Sequence, residues 1–204
     1  MRDLLLAPAF MVLGSPITWA EMLAFALSLW MVACNIRVKP LAWPLAIAAS
    51  LLYFLLFWHG KLYGEAGLQL VFVVLALWGW WQWLRGTGTD GQALRVRRLS
   101  PRGLVTAALA TLLAWPMLGL LLAHQTDSQV PYWDAFPTVA SLTGQWLLAR
   151  KYQENWAVWV IVNIVSVALF ASKGYWLTVV LYGVFIPLSL AGWRAWQREA
   201  DSAC

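Results

Sequence analysis

Gly79-Trp80-Trp81-Gln82-Trp83 returns 113 residues later as Gly192-Trp193-Arg194-Ala195-Trp196. Working outward from this pair, Ile17–Trp83 aligns with Val130–Trp196 without a gap. Trp43 falls on Trp156, Arg37 on Arg150, Ser28-Leu29 on Ser141-Leu142, Leu56-Phe57 on Leu169-Phe170, and Glu21 on Asp134. Apolar matches alone carry little weight in so apolar a chain. Tryptophan, arginine and acidic matches in one ungapped register mark an internal repeat, which is a transporter signature more than an enzyme signature.

The repeated unit is built for lipid. Of 204 residues, 62% are hydrophobic and only 11% charged, and the mean hydropathy is +0.67. A soluble domain carries about 25% charged residues, so a soluble globule and a disordered chain are both excluded. Spanning a bilayer takes about 20 apolar residues. Seven segments qualify: Ile17–Ile36, Pro40–Trp58, Ala66–Leu84, Gly103–Ala123, Tyr132–Ala149, Asn155–Ser172 and Tyr175–Trp193. No ten-residue alternating strands suggest a barrel, and spans exposed to lipid must satisfy their own backbone, so these are helices. Each repeat holds three of them. The odd segment, Gly103–Ala123, restores the starting side for the second repeat. The expected fold is an all-α integral membrane protein with a parallel 3+1+3 repeat and a pseudo-two-fold axis along the membrane normal.

The expected organisation is an interfacial segment at 1–16, a first repeat at 17–84, a basic loop at 85–102, a linker helix at 103–123, a second repeat at 130–197 and a tail at 198–204. Residues 1–16 do not read as a signal peptide, because Pro8 and Gly14 interrupt a short apolar stretch. The net charge of +5 looks basic, but it is explained by topology and not by nucleic acid. With the N-terminus outside, 11 basic residues lie inside (Arg37 to Arg198) and 3 outside (Arg2, Lys61 and Lys173). The positive-inside rule then sets N-out and C-in, and the Arg95–Arg98 patch is expected to meet anionic lipid. Cys34 and Cys204 offer no disulfide framework or metal cluster. No catalytic motif is present, so no metal, cofactor or enzymatic activity is expected.

Helical spacing places one polar-aromatic stripe on every repeat helix. The sixth segment carries Trp156, Trp159, Asn163, Ser166 and Phe170. The seventh carries Tyr182, Phe185, Ser189, Gly192 and Trp196. Ser50 and Tyr53 lie on the second, Gln69 on the third, and Ser141 and Gln145 on the fifth. The stripes coincide under the repeat and are expected to line a common passage. Its aromatic faces and neutral hydrogen-bonding groups suit a flat aromatic ligand with hydroxyls, or a delocalised cation; a phosphorylated substrate would want Arg or Lys. For Trp159 with Asn163, and for the repeat mates Gln69 and Tyr182, ligand contact and helix packing both stay open. Trp43, Trp83, Trp133, Trp193 and Trp196, at segment ends, read as interfacial anchors. Glu21 and Asp134 read as solvated or helix N-terminal charges.

These residues also carry a family resemblance. Trp43-Pro44-Leu45, Lys61-Leu62-Tyr63-Gly64-Glu65-Ala66-Gly67-Leu68-Gln69 and Gly79–Trp83 resemble the PnuC family of bacterial vitamin transporters. So do Asn155-Trp156-Ala157-Val158-Trp159 with Asn163, Lys173-Gly174-Tyr175 and Leu181-Tyr182. The resemblance implies a SWEET-like fold in the inner membrane and facilitated diffusion of nicotinamide riboside. It further implies trapping by a cytoplasmic vitamin kinase, and a homotrimer. It places ligand contacts at Trp156, Trp159, Asn163, Gln69 and Tyr182. Ser50, Tyr53, Ser141 and Gln145 rest on periodicity alone. Thiamine is the alternative cargo, followed by riboflavin; a non-transporting subunit or a membrane enzyme is the reading from a different class.

The basic-residue asymmetry generates a first test. A reporter fused after Cys204 is expected in the cytoplasm, and a tag within residues 124–131 is expected to be reachable from outside. Labelling of residues 85–102 from outside the cell overturns the orientation.

Overall fold

The structure is a computed structural model that describes residues 7–12, 15–59, 63–88, 91–126, 130–172 and 176–202. Lys61-Leu62, Lys173–Tyr175, Arg2 and Cys204 lie outside the described residues. Among the described residues seven helices form: α1 (Trp19–Ile36), α2 (Ala42–His59), α3 (Tyr63–Arg85), α4 (Pro101–Gln125), α5 (Pro131–Ala149), α6 (Asn155–Ser172) and α7 (Trp176–Ser202). They are preceded by a hairpin of β1 (Pro8–Val12) and β2 (Ser15–Thr18), paired antiparallel with Phe10 opposite Ile17. The chain divides into two compact units, Met1–Gly91 and Gln92–Cys204.

Among the described residues six helices, all but α5, are long and apolar enough to cross a membrane. In α5, Asp134, Pro137, Thr138, Ser141, Thr143 and Gln145 dilute the apolar content. The interfacial lead-in expected at residues 1–16 contains most of the hairpin. Pro8 and Pro16 fix extended backbone and disfavour helix there. The last helix runs on to Ser202, past the expected end at Trp193.

Helix ends follow from local chemistry. The Thr18 hydroxyl accepts from the Glu21 N–H at 3.2 Å, and a Glu21 carboxylate oxygen accepts from the Thr18 N–H at 2.9 Å. This capping box satisfies two donors at the start of α1 and gives Glu21 a helix-end role. Ser100 caps α4 by accepting from the Gly103 N–H at 3.1 Å, with Pro101 opening the helix.

The turns from α1 to α2 and from α5 to α6 share one geometry. After Ile36, Lys39 N–H donates to Cys34 carbonyl at 2.9 Å and Val38 N–H to Asn35 carbonyl at 3.1 Å. After Ala149, Tyr152 N–H donates to Leu147 carbonyl at 2.9 Å and Lys151 N–H to Leu148 carbonyl at 3.0 Å. Both are Schellman motifs, and each bond falls on its repeat mate. Both put a non-glycine residue in the left-handed region, Val38 at φ 53° and Lys151 at φ 56°, at a cost of about 1–2 kcal/mol each.

Within each unit a tryptophan lies on a glycine of the neighbouring helix. A Cβ on Gly79 would overlap the Trp43 ring, and one on Gly192 would overlap Trp156. Trp43 meets Trp83 edge to face at 5.4 Å and 86°; Trp156 meets Trp196 at 5.7 Å and 87°. Trp43 is 1% exposed, Trp83 7% and Trp196 0%. The interfacial-anchor expectation is therefore corrected for these three. Trp43 is packed inside the protein because a facing glycine admits an indole where any side chain would exclude it, and Trp83 and Trp196 are buried by their edge-to-face contacts with Trp43 and Trp156. Trp133, 60% exposed, and the half-buried Trp193 are not enclosed in this way.

The basic loop folds back onto the second unit. Arg97 N–H donates to Lys151 carbonyl at 3.1 Å and Gln153 N–H to Arg97 carbonyl at 3.0 Å, a single parallel bridge. Lys151 Nζ donates to Leu94 carbonyl at 2.9 Å, and Leu99 N–H to a Glu154 carboxylate oxygen at 3.0 Å. Leu94 and Val96 are buried beneath. The Arg97 guanidinium lies 4.7 Å over the Tyr152 ring, and Arg98 pairs with Asp201 at 2.7 Å. The expected lipid patch thus spends part of its charge on protein contacts. Burial pushes the Lys151 ammonium below its ordinary value, with Glu199 opposing. Its charged form is disfavoured in the fold, so this site gains stability as pH rises from the lowered value toward 10.5.

The tryptophan–glycine contacts yield a paired prediction. Gly79→Ala and Gly192→Ala must each displace a buried indole, costing about 1–3 kcal/mol and lowering the melting temperature of the detergent-solubilised protein. Gly67→Ala, with open space at its Cβ, is expected to be neutral or to stabilise by up to about 1 kcal/mol. Equal effects at the three positions would remove the packing role.

Candidate functional site

The sequence-predicted residues fall in both units. Ser50 and Tyr53 on α2 and Gln69 on α3 are half-buried in the first unit. Tyr53 stacks on Phe57 at 5.9 Å and 20°. In the second unit Ser141 and Gln145 are buried on α5, Trp156, Trp159 and Asn163 lie on α6, and Tyr182 lies on α7.

The second unit brings several of them together along α6 and α7. Three contacts step outward from the α5–α6 turn. Trp156 seats on Gly192 and Trp196 first. Seven residues further along α6, Asn163 Nδ2 donates to Ser189 Oγ at 3.2 Å, both side chains buried. Seven more bring Phe170 flat against Tyr182 at 5.5 Å and 8°, with Phe185 edge-on to Tyr182 at 6.3 Å. The spacing of seven keeps one helical face in register. Trp159 is half-buried against α5, where a Cβ on Gly144 would stand 3.2 Å from its ring. Pro187 lies inside α7. It has no N–H for the Gly183 carbonyl, one residue from Tyr182, and so weakens the helix beside the aromatic contact.

The geometry sorts the candidates. Trp156 is 3% exposed and enclosed by Gly192 and Trp196, which gives it a packing role. Asn163 and Tyr182 sit at the polar and aromatic contacts, and Trp159 borders them on the same helix. Ser189, the partner of Asn163, carried a sequence signal only through its place on the stripe, because its repeat mate is Ala76. Among the described residues, no cluster of His, Cys, Asp or Glu could hold a metal. Trp159, Asn163, Ser189, Phe170 and Tyr182 carry no formal charge, so the arrangement offers ring faces, an amide and hydroxyl groups.

The model of the nicotinamide mononucleotide transporter family matches residues 18–198. The chain belongs to this family. Among its relatives, the riboflavin/roseoflavin transporter RibM of Streptomyces davaonensis is 33% identical over 92% of this chain and 89% of its own length. The nicotinamide riboside transporter PnuC of Escherichia coli is 28% identical over 73% of this chain and 72% of its own. The crystal structure of the vitamin B3 transporter PnuC shares the fold, with a TM-score of 0.75 at 22% identity over 90% of this chain and 83% of that one. Family membership and six to seven apolar helices make this a multi-pass protein of the bacterial inner membrane.

A double-mutant cycle tests the polar contact. Asn163→Ala and Ser189→Ala are expected to couple by about 0.5–1.5 kcal/mol in unfolding free energy, within the range for hydrogen bonds between membrane helices. Additive effects would dissolve the contact.

Proposed function

We propose that this protein is a uniporter carrying nicotinamide riboside inward. The observation that carries the reading is the neutral polar-aromatic face of α6 and α7, where the Asn163–Ser189 contact lies two helical turns from the Phe170–Tyr182 stack. A pyridinium ring is drawn to aromatic faces by their quadrupole, by about 0.5–2 kcal/mol per ring. Ribose hydroxyls exchange hydrogen bonds with amide and hydroxyl groups. Trp159, Asn163 and Tyr182 are the principal contacts in this reading, with Ser141 and Gln145 behind them. The same role is assigned, from helical face and family resemblance, to Gln69, Ser50 and Tyr53 of the first unit. Trp156 supports the site by packing.

The chain is proposed to insert N-out and C-in as a parallel 3+1+3 repeat. The matched Schellman turns and tryptophan–glycine contacts support the repeat, and the basic asymmetry supports the orientation. A carrier without a driving ion only equilibrates its cargo. Accumulation then comes from a cytoplasmic vitamin kinase, because a phosphorylated product adds charge that an uncharged face cannot pair. Glu21, engaged in the α1 cap, is read as structural and not as a coupling group. A homotrimer is the proposed assembly, by family resemblance. Riboflavin is a second reading, supported by the 33% identity to RibM over nearly the whole chain; thiamine, another aromatic cation, is the third.

Thermal-shift screening and proteoliposomes test both parts. Nicotinamide riboside is expected to raise the melting temperature more than riboflavin or thiamine at equal free-ligand concentration. A larger riboflavin shift selects the second reading. With no imposed voltage, unmodified substrate should reach equal concentrations on both sides, and kinase with ATP inside should raise total uptake. Trp159→Ala should weaken binding by more than tenfold, because it removes a large ring and its attraction for the substrate. Uphill accumulation driven by a proton or sodium gradient, and abolished by Glu21→Gln or Asp134→Asn, rejects the uniport.

A further inference from the structure

Hydroxyls on these helices have a default partner. Ser28 donates to the Ala24 carbonyl at 2.8 Å, Thr106 to Arg102 at 2.9 Å, Thr111 to Ala107 at 2.9 Å and Thr138 to Asp134 at 3.3 Å, each four residues back. This is the ordinary resting place for a hydroxyl in a helix surrounded by lipid or protein. Ser166 departs from it. Its side chain is 1% exposed, and its Oγ has no hydrogen-bond partner. A buried hydroxyl without a partner is destabilising, and the Val162 carbonyl is close by along the helix. Ser166 lies three residues beyond Asn163 and four before Phe170, on the shared face between the polar contact and the aromatic stack. Its repeat mate is Tyr53, also a hydroxyl.

We infer that Ser166 reads a hydroxyl of the cargo at the junction between ring and sugar. The inference rests on the transport reading above and adds a residue to that site. A ligand whose ring lies toward Phe170 and Tyr182 places its attached sugar or sugar alcohol toward Asn163 and Ser189. The first hydroxyls beyond the ring then fall beside Ser166. The hydroxyl both donates and accepts, so it serves a ribose or a ribityl chain alike, and it gives nothing to a ring without either. Ser166 is thus a spare hydrogen-bonding partner that cargo completes. A site built to hydrogen-bond a hydroxyl rejects the analogue that lacks one, because its own polar group is then left unpaired.

The test is Ser166→Ala in the full-length, detergent-solubilised protein, by calorimetry and melting temperature. The probes are nicotinamide riboside against 1-methylnicotinamide, and riboflavin against lumiflavin; each pair keeps the ring and removes the hydroxylated chain. Expected are about three- to tenfold weaker binding of the hydroxylated member, an unchanged ring-only affinity, and a raised melting temperature for the empty variant. A merely structural serine does not combine gained stability with selective loss. Wild-type affinity for the hydroxylated vitamin in the variant, equal loss for both members of a pair, or a lowered melting temperature overturns the assignment. Failure of the wild-type protein to bind either hydroxylated vitamin removes the transport reading itself. Ser166→Cys, similar in size with only a weak donor, is expected to follow the alanine variant, and binding like that of wild type there also counts against the hydroxyl.

Discussion

An indole lying on a glycine governs the helix packing of each unit. Lipid removes the hydrophobic drive between helices, because a neighbouring helix is no drier than an acyl chain. What remains is close van der Waals contact, and close contact needs a small residue opposite a large flat one. Gly79 receives Trp43, and Gly192 receives Trp156. Trp83 and Trp196 close the arrangement edge to face. The Nε1 atoms of Trp43 and Trp156 are buried without a partner, so these rings are held by shape and not by a hydrogen bond. Each contact joins the start of one helix to the end of the next and so sets their spacing at one end. In the second unit that spacing aligns Asn163 with Ser189 and, further along, Phe170 with Tyr182.

Much of this was legible before any coordinates. The 113-residue register aligns the tryptophans and places Arg37 on Arg150, beside the two turns that prove alike, and the span Asn155–Ser172 coincides with α6. Three features were not legible. The hairpin at Pro8–Thr18 depends on local pairing in a stretch whose apolar content suggests only contact with the membrane surface. Burial of Trp43, Trp83 and Trp196 contradicts a rule based on position along the span, because the deciding partner lies on another helix: Gly79 for Trp43, Trp43 for Trp83 and Trp156 for Trp196. The glycines were visible in the repeat, but which tryptophan each receives is a tertiary fact. Among site residues, Asn163 and Tyr182 stood out by type and spacing. Ser189 did not, since a lone serine on an apolar helix gives no sign of which amide it will meet.

The two Schellman turns share a backbone but differ in surroundings. At Val38 the left-handed residue is a β-branched hydrocarbon, for which that region is unusual. At Lys151 the same backbone carries an amine that reaches the Leu94 carbonyl, while the flanking carbonyl and N–H of Lys151 and Gln153 hold Arg97. The backbone of the turn is the same at both places, and only the second serves as a platform for the loop. Glu154 and Asp201 extend the platform along the docked segment to Leu99 and Arg98. The Arg98–Asp201 pair is exposed and worth about 1 kcal/mol or less; the backbone bridge and the buried Leu94 and Val96 carry the docking. Residues 94–99 are therefore a folded part of the second unit.

The uncharged character of the α6–α7 face bears on selectivity as much as on mechanism. An ionised group there would be expensive in a membrane interior and would bind many cations or anions by charge alone. Amides, hydroxyls and rings discriminate differently. A ring contact is tolerant, because every flat aromatic ligand offers a π face. A buried hydroxyl or amide is intolerant, because a cargo that cannot complete its hydrogen bonds leaves it unpaired at about 1–3 kcal/mol. Related carriers named for riboflavin and for nicotinamide riboside fit this division. Their rings differ in size and charge, while both cargoes carry a hydroxylated five-carbon chain. A site that is permissive toward the ring and strict toward the chain can change vitamins by altering aromatic residues while keeping its polar ones; under the proposed assignment of the α6–α7 face as the cargo site, Asn163 and Ser189 belong to the part that would serve either cargo.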